Sequence, residues 1–459
     1  GSMAGAASDP HRPSYHFTPP AGWMNDPNGL IQWRGHYHLF YQHNPHGAVW
    51  GNMHWGHARS RDLLRWEHLP VALAPSPGEP DADGCFSGCA VVYRGTPTLI
   101  YTGVRGERQL PCLAVADDDG LIRWRKHGGN PVIAAPPSGR ATTIFRDHAA
   151  WQEGGYWYQV IGSGIAGVGG AALLYRSRDL LSWEYLHPFC VEEPWMGEPS
   201  RPTVGWECPD VFERDGRWVL IVSAWDGEPI AVRWFTGDRE GGRLVPAMGG
   251  CVDGSDAFYA PQSFTDDAGR PVMIGWLREA RTVEAQIAAG WSGVMSLPRV
   301  LSVDERGNLR AAPAPEFERL RRNEVSLAGA DLLPGRPLAL EGIPGDAMEL
   351  RITLPTAPEA LEVQLRRAPD GSEVTVVRYN PGDGRLSLDT RRSSQDPEAR
   401  GRWCSAIVQA DPAGEEHLRI FVDHSVIEVF LDDRACLSGR IYPSQPESLG
   451  VVLEAGAGL

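Results

Sequence analysis

Three carboxylates in this chain occupy one slot of a recurring pattern. Asp26, Asp147 and Glu207 each stand eight or nine residues ahead of a turn glycine, Gly35, Gly155 and Gly216, set between two short apolar runs. Two more hairpins of the same kind centre on Gly95 and Gly269, and the gaps between successive glycines are 60, 60, 61 and 53 residues. A repeat at a fixed period is one supersecondary unit used again. Units set around an axis bring equivalent positions together there. Three acids far apart in sequence then meet in one place, and a cluster of carboxylates is equipped for chemistry.

The elements that must hold these acids read as β-hairpins. They are Leu30 to Gln42, Ala90 to Gly103, Ala149 to Gly162, Asp210 to Ser223 and Ser263 to Trp276. Each has an apolar run, a polar glycine turn and a second run rich in β-branched and aromatic residues. The second runs are apolar at almost every residue, as strands buried on both faces should be. A second motif has the same pitch: SRDLLRWE at Ser60 to Glu67, SRDLLSWE at Ser177 to Glu184, and a looser relative at Leu121 to Arg125. It reads as the outer turn and edge strand of a unit. Its tryptophans, Trp66, Trp124 and Trp183, read as core. Four strands per unit, repeated radially, make a propeller. Five units of about 60 residues end near Pro298.

After about Leu320 the composition shifts: of 17 tryptophans only Trp403 lies beyond that point. Alternating strands are predicted at Ala347 to Leu354, Ala360 to Arg367, Glu373 to Tyr379 and Leu418 to Leu431, the last with a turn near His424. Proline-rich stretches at Ala311 to Pro315 and Leu332 to Pro337 separate the regions. The predicted fold class is all-β: a five-bladed β-propeller over residues 12–318, followed by a C-terminal β-sandwich over 325–459 with a structural accessory role.

At 459 residues two domains with separate cores are expected, and the net charge of −15 makes nucleic acid an unsuited partner. No apolar run approaches the ~20 residues of a membrane span. The opening GSMAGAASDP has no basic region and no apolar core, so it does not read as a signal peptide; Gly1 and Ser2 read as a cloning remnant before Met3. A cytoplasmic protein is expected, the alternative being a secreted one with its signal removed. Eight scattered cysteines do not read as a disulfide framework and are expected to be free thiols.

Asn-Asp-Pro-Asn-Gly within WMNDPNG (Trp23 to Gly29) is turn chemistry by itself. Its place opening the first unit, with an acid at the axial slot and His16, Phe17 and Trp23 alongside, points to function. HFTPPAGWMNDPNG, FSG (Phe86 to Gly88), FRD (Phe145 to Asp147), WECPD (Trp206 to Asp210), FYAPQ (Phe258 to Gln262), the Gly275-Trp276 pair and FVDHSVIEVF (Phe421 to Phe430) together resemble glycoside hydrolase family 32. That family comprises invertases, inulinases, levanases and related fructosyltransferases. The resemblance covers most of the chain, and it implies the same propeller and sandwich.

By this resemblance Asp26 is the nucleophile, Glu207 the general acid/base and Asp147 the transition-state stabiliser. Asn25 and the amides around Asn28 are donors near Asp26 that favour its charged form. Arg146 is expected to pair locally and help keep Asp147 ionised. Trp50, Phe86 and Trp276 wall the sugar site, and Gln42, Ser87 and Tyr259 supply polar contacts. Cys208 reads equally as a hydrogen-bonding group of the site or a buried structural thiol. The family usually has proline after the Arg-Asp pair, where this chain has His148. Strand alternation turns His148 away from Asp147, so a packing change is expected there.

The implied activity is retaining hydrolysis of terminal β-D-fructofuranosides such as sucrose and short fructo-oligosaccharides, through a fructosyl-enzyme ester. Retention calls for carboxyl groups about 5 Å apart. No metal and no organic cofactor is implied, and the partner is a small carbohydrate. A fructosyltransferase, or an exo-hydrolase of inulin or levan, is the alternative. Sucrose 6-phosphate lacks an evident basic cluster to hold its phosphate. An arabinan- or xylan-active enzyme would lack the WMNDPNG and WECPD strings, and a catalytically dead binding propeller would not keep three acids. Gly162 to Gly167 matches a dinucleotide fingerprint but leads into a β-like run, with no helix to present an N-terminus. His36, His38, His54 and His57 read as polar packing in the first unit rather than a metal site. No G-x-S-x-G elbow supports a serine hydrolase.

Overall fold

The computed structural model describes residues 3–197, 203–355, 359–408 and 414–456. Five four-stranded antiparallel units form the first part of the chain, and their innermost strands are Gly22–Trp33, Gly84–Tyr93, Thr142–Glu153, Gly205–Arg214 and Phe258–Thr265. Each innermost strand neighbours the next, and the fifth returns to the first, so the ring closes. Trp291–Ser292, from the chain following the fifth blade's inner hairpin, adds a parallel strand to blade one through Gly22 and Trp23 and fastens the circle.

The turn glycines do what the repeat requires. Four inner hairpins turn on two residues with positive φ: Arg34 and Gly35 (51° and 80°), Arg94 and Gly95 (48° and 76°), Gly154 and Gly155 (59° and 83°), Asp215 and Gly216 (53° and 79°). That is the type I′ pattern, whose twist matches the flanking strands. The fifth turn, around Gly269, is longer, and Asp266 ties it by accepting from the Ala268 and Arg270 amides. The second strands are buried on both faces, as in His36–Asn44 and Pro271–Leu277.

The Ser-Arg-Asp-Leu-Leu motif links the third strand of a blade to its edge strand. Asp62 Oδ1 accepts from the Leu64 and Arg65 amides at 2.9 and 3.0 Å, and Asp179 Oδ1 does the same for Leu181 and Ser182 at 2.9 Å each. Leu63, Leu180 and Leu121 share a left-handed φ of 67°, 66° and 57°, so the looser relative makes the same bend. Trp66, Trp124 and Trp183 are half-buried against the apolar clusters. Blade five does not end near Pro298. Its outer strands are Arg299–Val303 and Leu309–Pro313, so the proline-rich run begins inside the propeller. The Gly162 to Gly167 segment joins strands Tyr156–Ile165 and Gly169–Ser177. His38 Nδ1 meets His57 Nε2 at 2.9 Å, and His57 stacks on Phe40: polar packing inside blade one.

The second part is a sandwich. A six-stranded sheet (Leu338–Leu340, Gly450–Ala455, Leu361–Arg367, Thr375–Asn380, Arg385–Asp389, Trp403–Ile407) covers a four-stranded one (Ala347–Leu354, Glu416–Asp423, Val426–Leu431, Ala435–Arg440). Val363, Val377, Ile420 and Val429 meet in its core. His424, with φ of 55°, makes the expected turn between the late strand pair.

Buried charges join the two parts. Arg299 of blade five donates to Glu428 at 2.8 Å and to Asp253 at 3.1 Å. His16 lies between Asp423 at 2.8 Å and Glu428 at 2.6 Å. His16 therefore serves the seam between the parts rather than the site beside Asp26. Among the described residues no helix is long and apolar enough to cross a membrane.

Candidate active site

Every innermost strand breaks register at the same height. The breaks fall between Met24 and Pro27, Phe86 and Cys89, at Asp147, between Glu207 and Asp210, and between Tyr259 and Gln262. A bulge inserts a residue and re-aims the side chains around it. Five bulges on five neighbouring strands aim five sets of side chains at the axis. Asp147, Cys208 and Ala260 take positive φ there, at 72°, 45° and 53°. Such backbone costs of the order of 1 kcal/mol per non-glycine residue and persists only where surroundings impose it.

The three acids meet. The Cys208 thiol lies 3.3 Å from Asp26 Oδ2 and 3.3 Å from Asp147 Oδ2, and the Cys208 amide donates to Asp147 Oδ2 at 2.9 Å. Glu207, its neighbour in sequence, interacts electrostatically with both aspartates. Asp26 also accepts from Ser87 Oγ at 2.7 Å and from Asn25 Nδ2 at 3.0 Å, while Trp23 donates to Asn25 Oδ1 at 2.7 Å. Glu207 accepts from Tyr259 at 2.7 Å on Oε1 and from Arg146 Nε and Nη2, both at 2.9 Å, on Oε2.

Arg146 departs from the expected local pairing, although its charge does favour the ionised form of Asp147. Its forked ion pair goes to Glu207, Nη1 reaches Gln109 at 3.1 Å, and the guanidinium lies over Trp225 at 4.8 Å. Asp147 is not kept low. Burial first, then the Glu207 and Asp26 charges, push it up to about 7 against the pull of Arg146. Glu207 is raised too, by burial and by Asp26, with Arg146 and Tyr259 opposing. Like charges crowded in a buried site resist complete ionisation, so the cluster keeps a proton towards neutrality.

The aromatic residues converge on this cluster. Phe86 meets Trp50 edge-on at 5.9 Å, and Trp50 is 59% exposed, an open rim. Trp276 packs against Trp23 at 6.1 Å and Tyr259 at 6.4 Å, and its buried indole N–H has no partner among the described residues. Gln42 is different. Its amide donates to Asn28 Oδ1 at 2.8 Å and to the Cys85 carbonyl at 3.0 Å, so it braces the Asn-Asp-Pro-Asn-Gly segment from behind.

Sequence reasoning missed several supports. Gln262, in FYAPQ, accepts from the Leu30 amide and donates to the Gly88 carbonyl, both at 2.9 Å, stitching blades five, one and two. A Cβ at Gly88 would meet the Ile100 carbonyl oxygen at 1.8 Å, which explains the glycine of FSG. Thr102 Oγ1 accepts from the Asp147 amide at 3.0 Å. The bulges could have suggested these contacts, but a bulge leaves no period to read.

Comparison with known proteins agrees with this geometry. Residues 16–313 match the glycosyl hydrolases family 32 N-terminal domain, and 316–458 match the glycosyl hydrolases family 32 C-terminal domain. The chain is 36% identical to a sucrose-6-phosphate hydrolase of Escherichia coli, over 97% of this chain and 92% of that one. It is 32% identical to a levanase of Bacillus subtilis, over 98% of this chain and 68% of that one. The crystal structure of fructan 1-exohydrolase IIa from Cichorium intybus superposes with a TM-score of 0.88 at 30% identity, covering 97% of this chain and 95% of that one. With both domain families matched along nearly its whole length, the chain belongs to glycoside hydrolase family 32.

Proposed function

We propose that this chain is a retaining β-fructofuranosidase that hydrolyses terminal β-D-fructofuranosides such as sucrose and short fructo-oligosaccharides. The observation that carries the reading is the meeting of Asp26 and Asp147 on one thiol, with Glu207 beside it. In the proposed reaction an oxygen of Asp26 attacks C2 of the fructosyl unit. Glu207 gives its proton to the glycosidic oxygen, the C2–O bond breaks, and an Asp26 ester forms. Glu207 then takes a proton from water, the water oxygen bonds to C2, and the ester releases Asp26. Asp147 accepts from ring hydroxyls and opposes the positive charge of the oxocarbenium-like state. Phe86, Trp50 and Trp276 offer apolar faces to the sugar. Tyr259 and Arg146 set the orientation of Glu207, and Ser87 and Asn25 that of Asp26.

Support comes from family membership and from relatives named as sucrose-6-phosphate hydrolase, raffinose invertase and levanase. We take residues 12–318 as the catalytic domain and 325–459 as the accessory one. A reducing compartment, the cytoplasm, suits eight free cysteines.

The test is kinetic and stereochemical. Asp26→Ala and Glu207→Ala each lower sucrose turnover by at least about 10⁴-fold, and methanol traps methyl β-D-fructofuranoside. Near-normal turnover by Asp26→Ala, or the α-anomer as primary product, overturns the reading. A panel of sucrose, kestose, inulin, levan and sucrose 6-phosphate, with product analysis at high sucrose, separates the hydrolase from the transferase and exo-hydrolase alternatives.

A further inference from the structure

One buried hydroxyl touches the supports of two of the three acids. Thr102 Oγ1 lies 3.0 Å from the Asp147 amide nitrogen, 3.0 Å from the Ser87 carbonyl oxygen and 2.9 Å from His148 Nε2. Ser87 in turn donates to Asp26 Oδ2 at 2.7 Å. Thr102 is fully buried, and His148 is 2% exposed. The other ring nitrogen of His148, Nδ1, lies 2.9 Å from Oε1 of Gln159, which is also fully buried. A line of polar side chains therefore runs from Gln159 through His148 to Thr102, and there it forks to Asp147 and Ser87.

The ring is not simply packing. The bulge at Asp147 breaks the alternation of strand Thr142–Glu153 between the pairs Ile161–His148 and Gly162–Arg146. Asp147 takes a φ of 72°, and its amide donates to Thr102 instead of the strand ladder. Strained backbone of this kind stays put only when neighbours fix it. Burial pushes His148 down to about 4, so the imidazole is uncharged at neutral pH and carries a single N–H. With the proton on Nε2 the ring donates to Thr102 and accepts at Nδ1 from the Gln159 amide, turned so that its Nε2, otherwise without a partner among the described residues, faces the ring. The hydroxyl is then free to donate to the Ser87 carbonyl while accepting the Asp147 amide. With the proton on Nδ1 the ring donates to Gln159, and Thr102 must turn its own proton to His148 and release Ser87. In both cases His148 decides where the one Thr102 proton points. Proline at this position could make neither contact.

We infer that His148 is a positioning residue: through Thr102 it fixes the backbone at Asp147 and Ser87, and so the placement of Asp147 relative to Asp26. The expected kinetic effect rests on the fructofuranosidase reading; the geometric effect does not. His148→Phe keeps an aromatic ring, a somewhat larger one, but removes both polar contacts; Thr102→Val, which adds no bulk, controls for the difference in size. It lowers kcat on sucrose by about 10- to 100-fold, because a carboxylate misplaced by about 1 Å costs that much. KM changes far less, and the pH profile of kcat/KM shifts. His148→Gln, which can reach Thr102 with its amide, recovers most of the loss. Thr102→Val reproduces the His148→Phe kinetics, and Thr102→Ser does not, so the inference stays testable if one variant fails to fold. A folded His148→Phe or Thr102→Val enzyme with wild-type kcat and pH profile overturns the inference, whatever its melting temperature. Wild-type enzyme silent on every fructoside of the panel sinks the activity reading instead. The inference is then read from a crystal structure of His148→Phe, where the Asp147 carboxylate moves by about 0.5 Å or more relative to Asp26; an unmoved carboxylate overturns it.

Discussion

Arg146 grips Glu207 rather than its sequence neighbour Asp147: Nε and Nη2 both lie 2.9 Å from Glu207 Oε2. The pair joins blades three and four at the site. It also sets the proton affinity of Glu207, because the guanidinium favours the ionised carboxylate and so opposes the rise due to burial. Arg146→Leu removes that restraint. The alkaline limb of kcat/KM, where Glu207 as proton donor is spent, moves to higher pH. kcat/KM itself falls by about 10²-fold as Glu207 loses its fixed orientation. A pH–rate profile of the variant checks this; an alkaline limb that moves down, or a profile unchanged in height, contradicts it.

Asp147 should trade stability for placement. Its carboxyl is raised from the ordinary range to about 7, chiefly by burial. A group raised in the folded state binds its proton more tightly there than in the unfolded chain. Its stabilising effect is full below about pH 4 and is lost as pH rises through about 7. Asp147→Asn has no charge to bury, so it melts at or above wild type at pH 8, and the gap closes or reverses at pH 4. Turnover falls by orders of magnitude in the same variant. Calorimetry at the two pH values decides; an Asn variant less stable than wild type at pH 8 and equal to it at pH 4 has the wrong sign.

The repeat was legible because its turns impose a rule: Arg34-Gly35, Arg94-Gly95 and Asp215-Gly216 must both reach positive φ, and the glycine marks the spot. The acids were legible through their register to those glycines. What lay hidden came from long-range contacts and broken periods. Gln42 is a sugar contact by the family resemblance, yet its amide nitrogen donates to Asn28 and to the Cys85 carbonyl. Arg146 read as a partner of Asp147 because the two are adjacent, but a bulge sends their side chains to different partners. The closing strand Trp291–Ser292 is two residues long and carries no pattern. His16 read only as a flank of the WMNDPNG segment, while its partners lie more than 400 residues away.

Cys208 links two carboxylates yet should be a poor nucleophile. Burial, then the charges of Asp147 and Asp26, raise its thiol well above the usual range, and the thiolate is the reactive form. Cys251, exposed on the edge of blade four, is labelled first by iodoacetamide at pH 7.5, and activity survives that labelling. Cys208→Ser keeps a donor between Asp26 and Asp147, whereas Cys208→Ala removes it and costs about 10-fold in kcat, the worth of one hydrogen bond near charge. Mass spectrometry of labelled peptides and kinetics of the two variants provide the check. Equal activity of the Ala and Ser variants would show that the thiol only fills space.

The seam between propeller and sandwich should respond to pH from both sides. His16 is raised to about 9, because its hydrogen bonds and charge contacts with Asp423 and Glu428 outweigh its burial. Its contribution is full below about 6.5, the unfolded value, and is lost as pH rises through 9. Asp423 and Glu428 are lowered despite burial, by His16 and, for Glu428, by Arg299 as well. Their contribution holds above about pH 4 and is lost in acid. Removing one member of a buried charge cluster costs about 3–5 kcal/mol, since the partners stay behind uncompensated. His16→Ala therefore lowers the melting temperature sharply at pH 6.5, and less at pH 9.5, where wild type has itself lost the imidazolium. Its kcat at temperatures where it stays folded remains within about 3-fold of wild type, because the histidine touches the seam and none of the three acids. Scanning calorimetry of both proteins at the two pH values measures the difference; a melting deficit that grows between pH 6.5 and 9.5 would place the proton elsewhere than on His16.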